Sequence, residues 1–493
     1  MLATPTFSLA ELNFVSIVPM LILLVGALIE LIVGMCLKNT NKQLYVVLSL
    51  IFLGLSLGSL MFVDGVSGVS AFYGMIVIDS FAFLGLVIIL LAALLFLPLT
   101  LTSKKFHDFS YYEFYALFLF MCAGFAFMVS STHLIVIFLG LETASLALYT
   151  LIAMHNRRTS FESSIKYFVM GALSAAAFAF GAMLLYLATG HLEIGAIWEV
   201  LELQESGKNQ ILLFASMAFF ITSLGFKLSL VPFHTWTPDV YEGSNAFLAG
   251  FMSIVPKIAG FVVALRILSL FLPNEGVQYL FYALVVITIT YPNLVALVQS
   301  DVKRMLAYSS ISHAGFVFSA ILIGEGAYMA LFMYWFLFLF ANLGAFSMLW
   351  VSRTKEQMWD KRYDHPYEKF SGLIKTSPII AVIMGIFMLS LAGIPPFSVF
   401  FGKLEIMRVA ISNGYIFLAC IMAINSAIAA YYYLKLIVYM FLKEPLVENG
   451  ELYTQNATLP LKIIMAIAAI LSSFAIFYLD TLILIIGSVF YYL

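Results

Sequence analysis

Long apolar stretches divide this sequence, and they fix the solvent in which most of the chain must fold. Read in windows of about 19 residues, the chain contains about fourteen such stretches, each near or above the ~20 residues that cross a ~30 Å hydrocarbon core as a helix. They lie at about 14–36, 44–63, 74–101, 113–130, 133–154, 161–189, 210–233, 245–272, 277–299, 303–323, 326–352, 376–408, 414–441 and 459–490. Only 10% of the residues are charged, against roughly 25% in soluble domains. The stretches also lack the strict alternation of a membrane β-barrel. We therefore expect an all-α integral membrane protein with about fourteen transmembrane helices.

Basic residues gather on one side of this predicted bundle. If the spans alternate in direction, one set of loops holds Lys38, Lys42, Lys104, Lys105, Arg157, Arg158, Lys303, Arg304, Arg353, Lys355, Lys361, Arg362, Lys369, Lys375 and Lys443. The other set holds little beyond Lys208, Arg266 and Arg408, and its loop at residues 191–210 is acidic. By the positive-inside rule the basic set is cytoplasmic. This orientation predicts that both termini face the periplasm.

The polar residues form no recognisable cofactor site. Cys36, Cys122 and Cys420 lie far apart in sequence, so they give no disulfide framework, metal pair or haem motif. The chain has no glycine-rich phosphate loop between a strand and a helix. Its net charge of −2 gives no indication of nucleic-acid binding. We expect this chain to bind no metal, nucleotide or redox cofactor itself.

Prolines interrupt three of the predicted spans. The seventh ends in Leu230-Val231-Pro232-Phe233, the eighth carries Pro256, and the twelfth contains Gly393-Ile394-Pro395-Pro396. Proline breaks a helix, and in a bilayer the freed carbonyls are tolerated only where they face protein or a wet cavity. Spans 7 and 12 share a Ser-Leu…Gly…Pro-Phe pattern five spans apart. Such paired breaks indicate a five-helix repeat and a transport site.

Four charged side chains lie deep in apolar sequence, namely Glu142, Lys227, Lys257 and Lys403. Each incurs at least ~2.5–3.5 kcal/mol at the bilayer centre. A lysine removed from water can gain and lose its proton when a carboxylate approaches or leaves. The set therefore predicts a proton relay. The alternatives are static ion pairs, with Glu405 as a local partner of Lys403, or side chains that reach toward a helix end.

Two histidines complete the candidate site. His313 follows Tyr308, Ser309, Ser310 and Ser312 within an apolar span, where a histidine can carry a proton between lysines. It can also simply hydrogen-bond one helix to another. His234 follows the break at Pro232, where it would either gate proton uptake or cap free carbonyls. The tyrosines at 431–433 lie near a span end and are interpreted as part of an interfacial belt.

The motifs around these residues resemble those of the antiporter-like subunits of respiratory complex I. The matching runs are 139–149 (LGLETASLALY), 226–243 (FKLSLVPFHTWTPDVYEG), 303–313 (KRMLAYSSISH) and 390–395 (SLAGIP), followed by Gly402-Lys403. The Asp239-Val240-Tyr241 segment is similar to the N subunit in particular. A lysine at position 403 agrees with N and L, whereas M is expected to have glutamate there, and the chain is expected to lack the lateral helix of L. Asn245 departs from the pattern, because proline is expected after Ser244.

This resemblance implies a specific architecture and specific roles. Two inverted five-helix repeats, residues 113–275 and 276–442, would contain the broken helices 7 and 12. A three-helix segment (1–112) would precede them and a last span (443–493) would follow. In the family, the positions matching Glu142 and Lys227 form a switching pair, that of Lys257 is the central relay, and that of Lys403 is the terminal lysine.

The implied function is proton translocation across a bacterial inner membrane. The chain would be a subunit of an NADH:quinone oxidoreductase of the translocase type, moving protons along a central Glu/Lys/His axis driven by distant quinone reduction. M- and K-type membrane subunits are the expected neighbours, and FMN, iron–sulfur clusters and quinone are expected in other subunits. An Mrp-type cation/proton antiporter subunit shares this core and is the alternative. A purely structural subunit would not need the four buried charges. One carboxylate against three amines favours the proton over hard cations, which require clustered oxygen ligands.

Overall fold

The computed structural model describes residues 12–37, 41–63, 69–101, 109–203, 210–354, 364–445, 453–455 and 458–490. In this part of the chain, twelve helices are long and apolar enough to cross a membrane, or thirteen if one bent helix pair is counted as a single span. Strand in the described residues is confined to two short antiparallel pairs. The predicted all-α membrane fold is confirmed. Both termini lie outside the described residues, so their predicted side of the membrane stays a prediction.

The first half of the helical bundle runs up to the break before Trp236. Its helices are α1 Val18–Leu37, α2 Lys42–Ser59, α3 Ser80–Phe96, α4 Tyr112–Val129, α5 Leu134–Ala153, α6 Arg158–Thr189, α7 Ile194–Leu203 and α8 Gln210–Leu228. Between α2 and α3 lies a hairpin of strands β1 Val69–Ala71 and β2 Ile76–Ile78. Short 3-10 turns at Phe14–Ile17, Leu60–Phe62 and Leu97–Thr100 extend three of these helices.

The second half continues from that break to the end of the described chain. Its helices are α9 Trp236–Gly243, α10 Ala246–Met252, α11 Val255–Leu268, α12 Glu275–Leu297, α13 Val302–Ile323, α14 Tyr328–Val351, α15 Leu373–Thr376, α16 Pro378–Ala392, α17 Ser398–Ser412, α18 Ile416–Leu442, α19 Leu459–Ser473 and α20 Ala475–Phe490. Strands β3 Ser352–Thr354 and β4 Tyr453–Gln455 pair with each other. Further 3-10 turns occupy Ser269–Phe271, Glu325–Ala327 and Tyr367–Phe370.

The three proline interruptions fall where the sequence predicts them. Helix α8 ends before Pro232, and helical structure resumes only at Trp236. Pro256 lies in the first turn of α11, where its missing N–H needs no partner. Helix α16 ends at Ala392, and Gly393 closes it in the left-handed conformation with φ of 80°. Helical backbone hydrogen bonding is therefore interrupted at three places inside the apolar region.

The last predicted span is not one continuous helix. The axes of α19 and α20 meet at 83° around Phe474. The only proline and glycine in residues 459–490 are Pro460 and Gly487, which lie near the two ends of this stretch and far from the bend. Span 12 is likewise divided into α16 and α17. A count of fourteen spans is not confirmed, and the division into two inverted repeats stays a prediction.

Polar contacts near helix ends define two faces of the bundle. On one face, which we call the basic face, Arg304 binds Asp239 and Glu242, and Lys303 donates to the carbonyl of Ser244. On the opposite face, Arg266 binds Asp79 at 2.6 Å. Helices α10 and α11, which lie between Ser244 and Arg266 in the chain, therefore lead from one face to the other. The alternation of the remaining spans stays a prediction.

Candidate functional site

Helices α11, α13 and α14 form the centre of the protein, because almost all of their residues are buried inside it. Outer helices such as α1, α2, α6 and α18 bury much less of their surface. Lys257 lies on α11 and His313 lies on α13. Two of the predicted site residues thus lie on the helices farthest from lipid.

Lys227 lies in the last turn of α8, where the span breaks. Its ammonium is buried and donates a hydrogen bond to Ser145 Oγ at 2.5 Å. The same hydroxyl lies 2.5 Å from the carbonyl of Leu141 on its own helix. Lys227 Nζ also lies 5.7 Å from the ring centre of Tyr167. The amine is therefore held by a hydroxyl and an aromatic face instead of a direct carboxylate contact.

Glu142 lies on α5, three residues before Ser145, so both side chains project from one face of that helix. One of its carboxylate oxygens is buried and has no hydrogen-bond partner. It remains close enough to Lys227 for a Coulombic interaction. The structure thus places Glu142 one helical turn before Ser145, which binds Lys227, and within Coulombic reach of that lysine. Whether they act as a switching pair stays a prediction.

Lys257 is turned toward α13. Its buried ammonium donates to the carbonyl of Ser310 at 2.6 Å and to Ser310 Oγ at 2.5 Å. Both acceptors belong to a single residue, which lies beside Ser309 and one turn before His313. Lys257 is therefore joined to the helix that carries the candidate histidine.

His313 lies between two tyrosine hydroxyls. Its Nδ1 lies 2.5 Å from the hydroxyl of Tyr334 on α14, and its Nε2 lies 3.2 Å from that of Tyr433 on α18. Tyr433 also hydrogen-bonds Ser309. Each tyrosine hydroxyl can donate and accept, and the neutral imidazole ring does both through its two nitrogens. The contacts form a continuous chain of exchangeable protons across three helices.

The interfacial interpretation of residues 431–433 is wrong for two of the three tyrosines. Tyr431 is exposed, but Tyr432 and Tyr433 are 1% and 0% exposed. Tyr432 donates to Asn293 Oδ1 at 2.9 Å, and Asn293 in turn donates to Asn425 Oδ1 at 3.2 Å. The signal in the sequence is helical spacing, because Asn425 lies seven and eight residues before these two tyrosines and therefore on the same face.

Lys403 is held by the broken end of the preceding helix. Its buried ammonium donates to the carbonyls of Ala392 at 3.0 Å and Leu391 at 3.4 Å. These are carbonyls of the last turn of α16, which lack partners within the helix and form its negative end. Glu405 is not the local partner of Lys403, because it pairs with Arg408 at 2.5 Å. Residues two apart on a helix point in different directions.

His234 lies in the break between α8 and α9. It is buried, its ring lies 5.2 Å from that of Tyr291, and its Nδ1 has no hydrogen-bond partner. The side chain nevertheless lies close enough to the backbone of Pro232 to interact with it. It lies on the segment that leads from Lys227 toward the basic face, and its role stays a prediction.

No group of three His, Cys, Asp or Glu side chains in the described residues is arranged to hold a metal ion. The chemistry of the site is that of amines, hydroxyls, one carboxylate and imidazole. Every one of these groups can accept or release a proton or pass one along a hydrogen bond. None of them requires an electron carrier in order to do so.

Comparison with known proteins agrees with this chemistry. Residues 131–429 match the family described as NADH:quinone oxidoreductase/Mrp antiporter, transmembrane. The chain is 56% identical over 484 residues to NADH-quinone oxidoreductase subunit N of Sulfurimonas denitrificans, covering 96% of each chain. This chain belongs to the subunit N family. The matched segment includes Glu142, Lys227, Lys257, His313 and Lys403.

Solved structures share the same fold. A chain of respiratory complex I from Thermus thermophilus superposes with a TM-score of 0.77 at 30% identity, covering 92% of this chain and 96% of that one. A chain of the Mrp complex from Dietzia sp. DQ12-45-1b gives a TM-score of 0.79 at 18% identity, covering 97% of both. The second likeness shows the fold alone. The subunit N relatives therefore decide between the two functions that the sequence left open.

Proposed function

We propose that the chain translocates protons across a bacterial inner membrane as the N-type subunit of an NADH:quinone oxidoreductase. The observation that carries the proposal is how the three buried amines are bound. Lys227, Lys257 and Lys403 are held by hydroxyls and carbonyls, and none of them is locked in a direct ion pair. An amine held in this way can release its proton without leaving a carboxylate stranded.

The first half of the route runs from the basic face to Lys227. In the conformation observed, Lys227 is bound to Ser145 while an oxygen of Glu142 lacks a partner. When the lysine turns from Ser145 to Glu142, the ion pair holds the proton on the amine. When it turns back, the proton is free to leave. We assign His234, which lies in the break toward the basic face, to the uptake of protons into this half.

The second half of the route passes the proton from Lys257 to Lys403. Ser310 connects Lys257 to α13, and His313 on the same helix is flanked by tyrosine hydroxyls. Lys403 lies 5.4 Å from the ring centre of Phe316, about one turn beyond His313. From the amine held at the carbonyls of α16, the proton leaves toward the opposite face.

Energy for these steps comes from quinone reduction in other subunits. FMN, iron–sulfur clusters and quinone are assigned to those subunits, and M- and K-type membrane subunits are the proposed neighbours. The signal then reaches this chain as a displacement of charge or of a helix. Charges in a low-dielectric interior act on one another strongly over short distances. A change of charge at one end of the row of buried charged residues therefore shifts the protonation of the next residue in the row.

Orientation follows from the basic face. Its loops carry Arg157, Lys303, Arg304, Lys369 and Lys375, so we assign it to the cytoplasm. Both termini are then periplasmic. A reporter that is active only in the cytoplasm, fused after Leu493, should be inactive, and activity of this fusion would contradict the assignment.

The function is tested by proton uptake into membrane vesicles that contain the whole complex. Glu142→Ala should lower uptake coupled to quinone reduction, whereas Glu275→Ala, which removes an exposed carboxylate at the start of α12, should not. Both variants must be present in the assembled complex at the normal level. Unchanged uptake in the Glu142 variant would contradict the proposal and favour a scaffold.

A further inference from the structure

A tyrosine outside the membrane-spanning helices has a buried hydroxyl that the pathway above does not use. Tyr367 lies in the turn before α15 and is 1% exposed, yet its hydroxyl has no hydrogen-bond partner among the residues that the structure describes. An unsatisfied buried hydroxyl costs about 1–3 kcal/mol, so such groups are usually served by ordered water. The position of this hydroxyl therefore indicates a water site between the basic face and the bundle.

The segment around Tyr367 is fixed against the start of α13. The N–H of Tyr367 donates to the carbonyl of Ser300 at 3.2 Å, and the N–H of Val302 donates to that of His365 at 2.8 Å. The N–H of His365 donates to Asp301 Oδ2 at 2.7 Å. The side chain of Asp301 is only partly buried, and Asp301 lies at the start of α13, close in sequence to Lys303 and Arg304 of the basic face. An acidic group thus lies where the turn meets the helix that carries His313.

The other side of Tyr367 faces α18. Lys435 Nζ lies 4.4 Å from the centre of its ring, and the ring of Tyr439 lies 5.6 Å away. The tyrosine hydroxyl is close enough to Asp301 and to Tyr433 for Coulombic interaction with both. Tyr433 itself hydrogen-bonds Ser309 and His313. Tyr367 is therefore a neighbour both of the acidic Asp301 at the start of α13 and of the tyrosine that contacts the buried histidine.

We infer that Tyr367 forms a second proton uptake route, which leads from Asp301 through ordered water to Tyr433 and His313. This inference rests on the proposed function, and it adds an inlet to residues 276–442 that is separate from the break near Lys227. Its ligand is the proton, carried by water.

The transfer leaves no charge on the tyrosines. The oxygen of Tyr367 accepts a proton from the Asp301 side while its own hydroxyl proton passes to water on the Tyr433 side. Tyr433 repeats the exchange and delivers a proton to Nε2 of His313. Burial raises the pKa of Tyr367, as does the nearby Asp301, so the residue relays protons as a neutral hydroxyl and does not ionise.

Removal of the hydroxyl alone tests the route. Tyr367→Phe keeps the ring beneath Lys435, and Tyr439→Phe is the matched control because it removes a hydroxyl from the neighbouring ring. We expect coupled proton uptake by vesicles containing the whole complex to fall about tenfold in Tyr367→Phe, less than the ~10²-fold that a positioned proton-transfer group can contribute, since water replaces part of its function. The solvent deuterium isotope effect on uptake should rise at the same time. Tyr439→Phe should change neither quantity.

A second variant distinguishes a route from a packing effect. Tyr433→Phe should lower uptake similarly, and the double variant should be no worse than the more damaging single one, because residues on one route are not additive. Equal losses in Tyr367→Phe and Tyr439→Phe, or additive losses in the double variant, would overturn the inference. Normal uptake in Tyr367→Phe together with blocked uptake in His313→Ala would overturn it too while leaving the proposed function in place. Normal uptake in His313→Ala would count against both.

Discussion

The two broken spans hold their lysines in different ways. Lys227 is bound to the hydroxyl of Ser145 and has Glu142 within Coulombic reach, whereas Lys403 is bound only to the carbonyls at the end of α16. A side-chain partner can change with a rotation, but a backbone carbonyl is fixed by its helix. The comparison supports the proposal that the first lysine switches between partners and that the second receives and releases the proton.

The largest effect is expected from Lys403→Arg. A guanidinium can still donate to the carbonyls of α16 but does not lose its proton in a protein. Coupled proton uptake should fall by about 10²-fold while the complex assembles normally. Lys462→Arg, at an exposed position on α19, is the control. If the arginine variant pumps at the normal rate, Lys403 only anchors the broken helix.

An intermediate effect is expected from filling the space beside Lys403. A Cβ at Gly393 would lie 2.9 Å from Cδ and 3.1 Å from Nζ of Lys403, and φ there is +80°. Gly393→Ala should destabilise the protein by about 1–2 kcal/mol from the left-handed backbone alone. Thermal unfolding of the purified complex measures this. Gly385→Ala on the same helix is the control, because its Cβ would meet only Phe441 at 3.6 Å. Equal stability of the two variants would contradict a backbone cost for a side chain at Gly393.

The smallest effect concerns the ion pairs that tie α9, beyond the first break, to the basic face. Burial raises the pKa of Asp239, but hydrogen bonds from Arg304 and Lys166 outweigh burial and lower this pKa below its usual 3.8. A carboxyl group whose pKa is lower in the folded than in the unfolded protein stabilises the fold at any pH above its pKa in the unfolded protein. This contribution is lost as the pH falls through its pKa in the folded protein. Because the pairs are partly exposed, Asp239→Asn should cost about 0.5 kcal/mol at neutral pH.

The pH dependence of unfolding checks this prediction. The difference in stability between the parent protein and Asp239→Asn should be constant above pH 3.8 and should shrink below it. A difference that grows on acidification would mean that the carboxylate does not stabilise the contact between α9 and α13.

The sequence predicts the charged part of the site far better than the hydroxyl part. Glu142, Lys257 and Lys403 stand out because charge is rare in apolar spans and incurs a large desolvation penalty. The hydroxyl residues of the site, Ser145, Tyr334 and Tyr433, do not stand out in the sequence. Placing a single hydroxyl in a membrane helix costs little free energy, and its hydrogen-bond partner is set by packing between helices that are distant in sequence.

The same contrast applies to the fold. Prolines mark three breaks because they remove a backbone donor, although Pro292 lies within the continuous helix α12. The 83° bend at Phe474 has no such residue at its centre, and it depends on how α20 packs at the end of the bundle, where Ser80 Oγ donates to the carbonyl of Val489 at 2.5 Å. Local chemistry therefore predicts the breaks, and tertiary contacts determine the bend.

The central claim is that Glu142 and Lys227 act as one unit. A double-mutant cycle on coupled proton uptake tests it directly, using Glu142→Ala, Lys227→Ala and the double variant in the assembled complex. Removal of one partner of a buried pair can cost ~3–5 kcal/mol because the other charge is stranded. We therefore predict that each single substitution strongly impairs uptake and that the double variant loses much less than the sum of the two. Strictly additive losses, with all variants assembled normally, would contradict the switch.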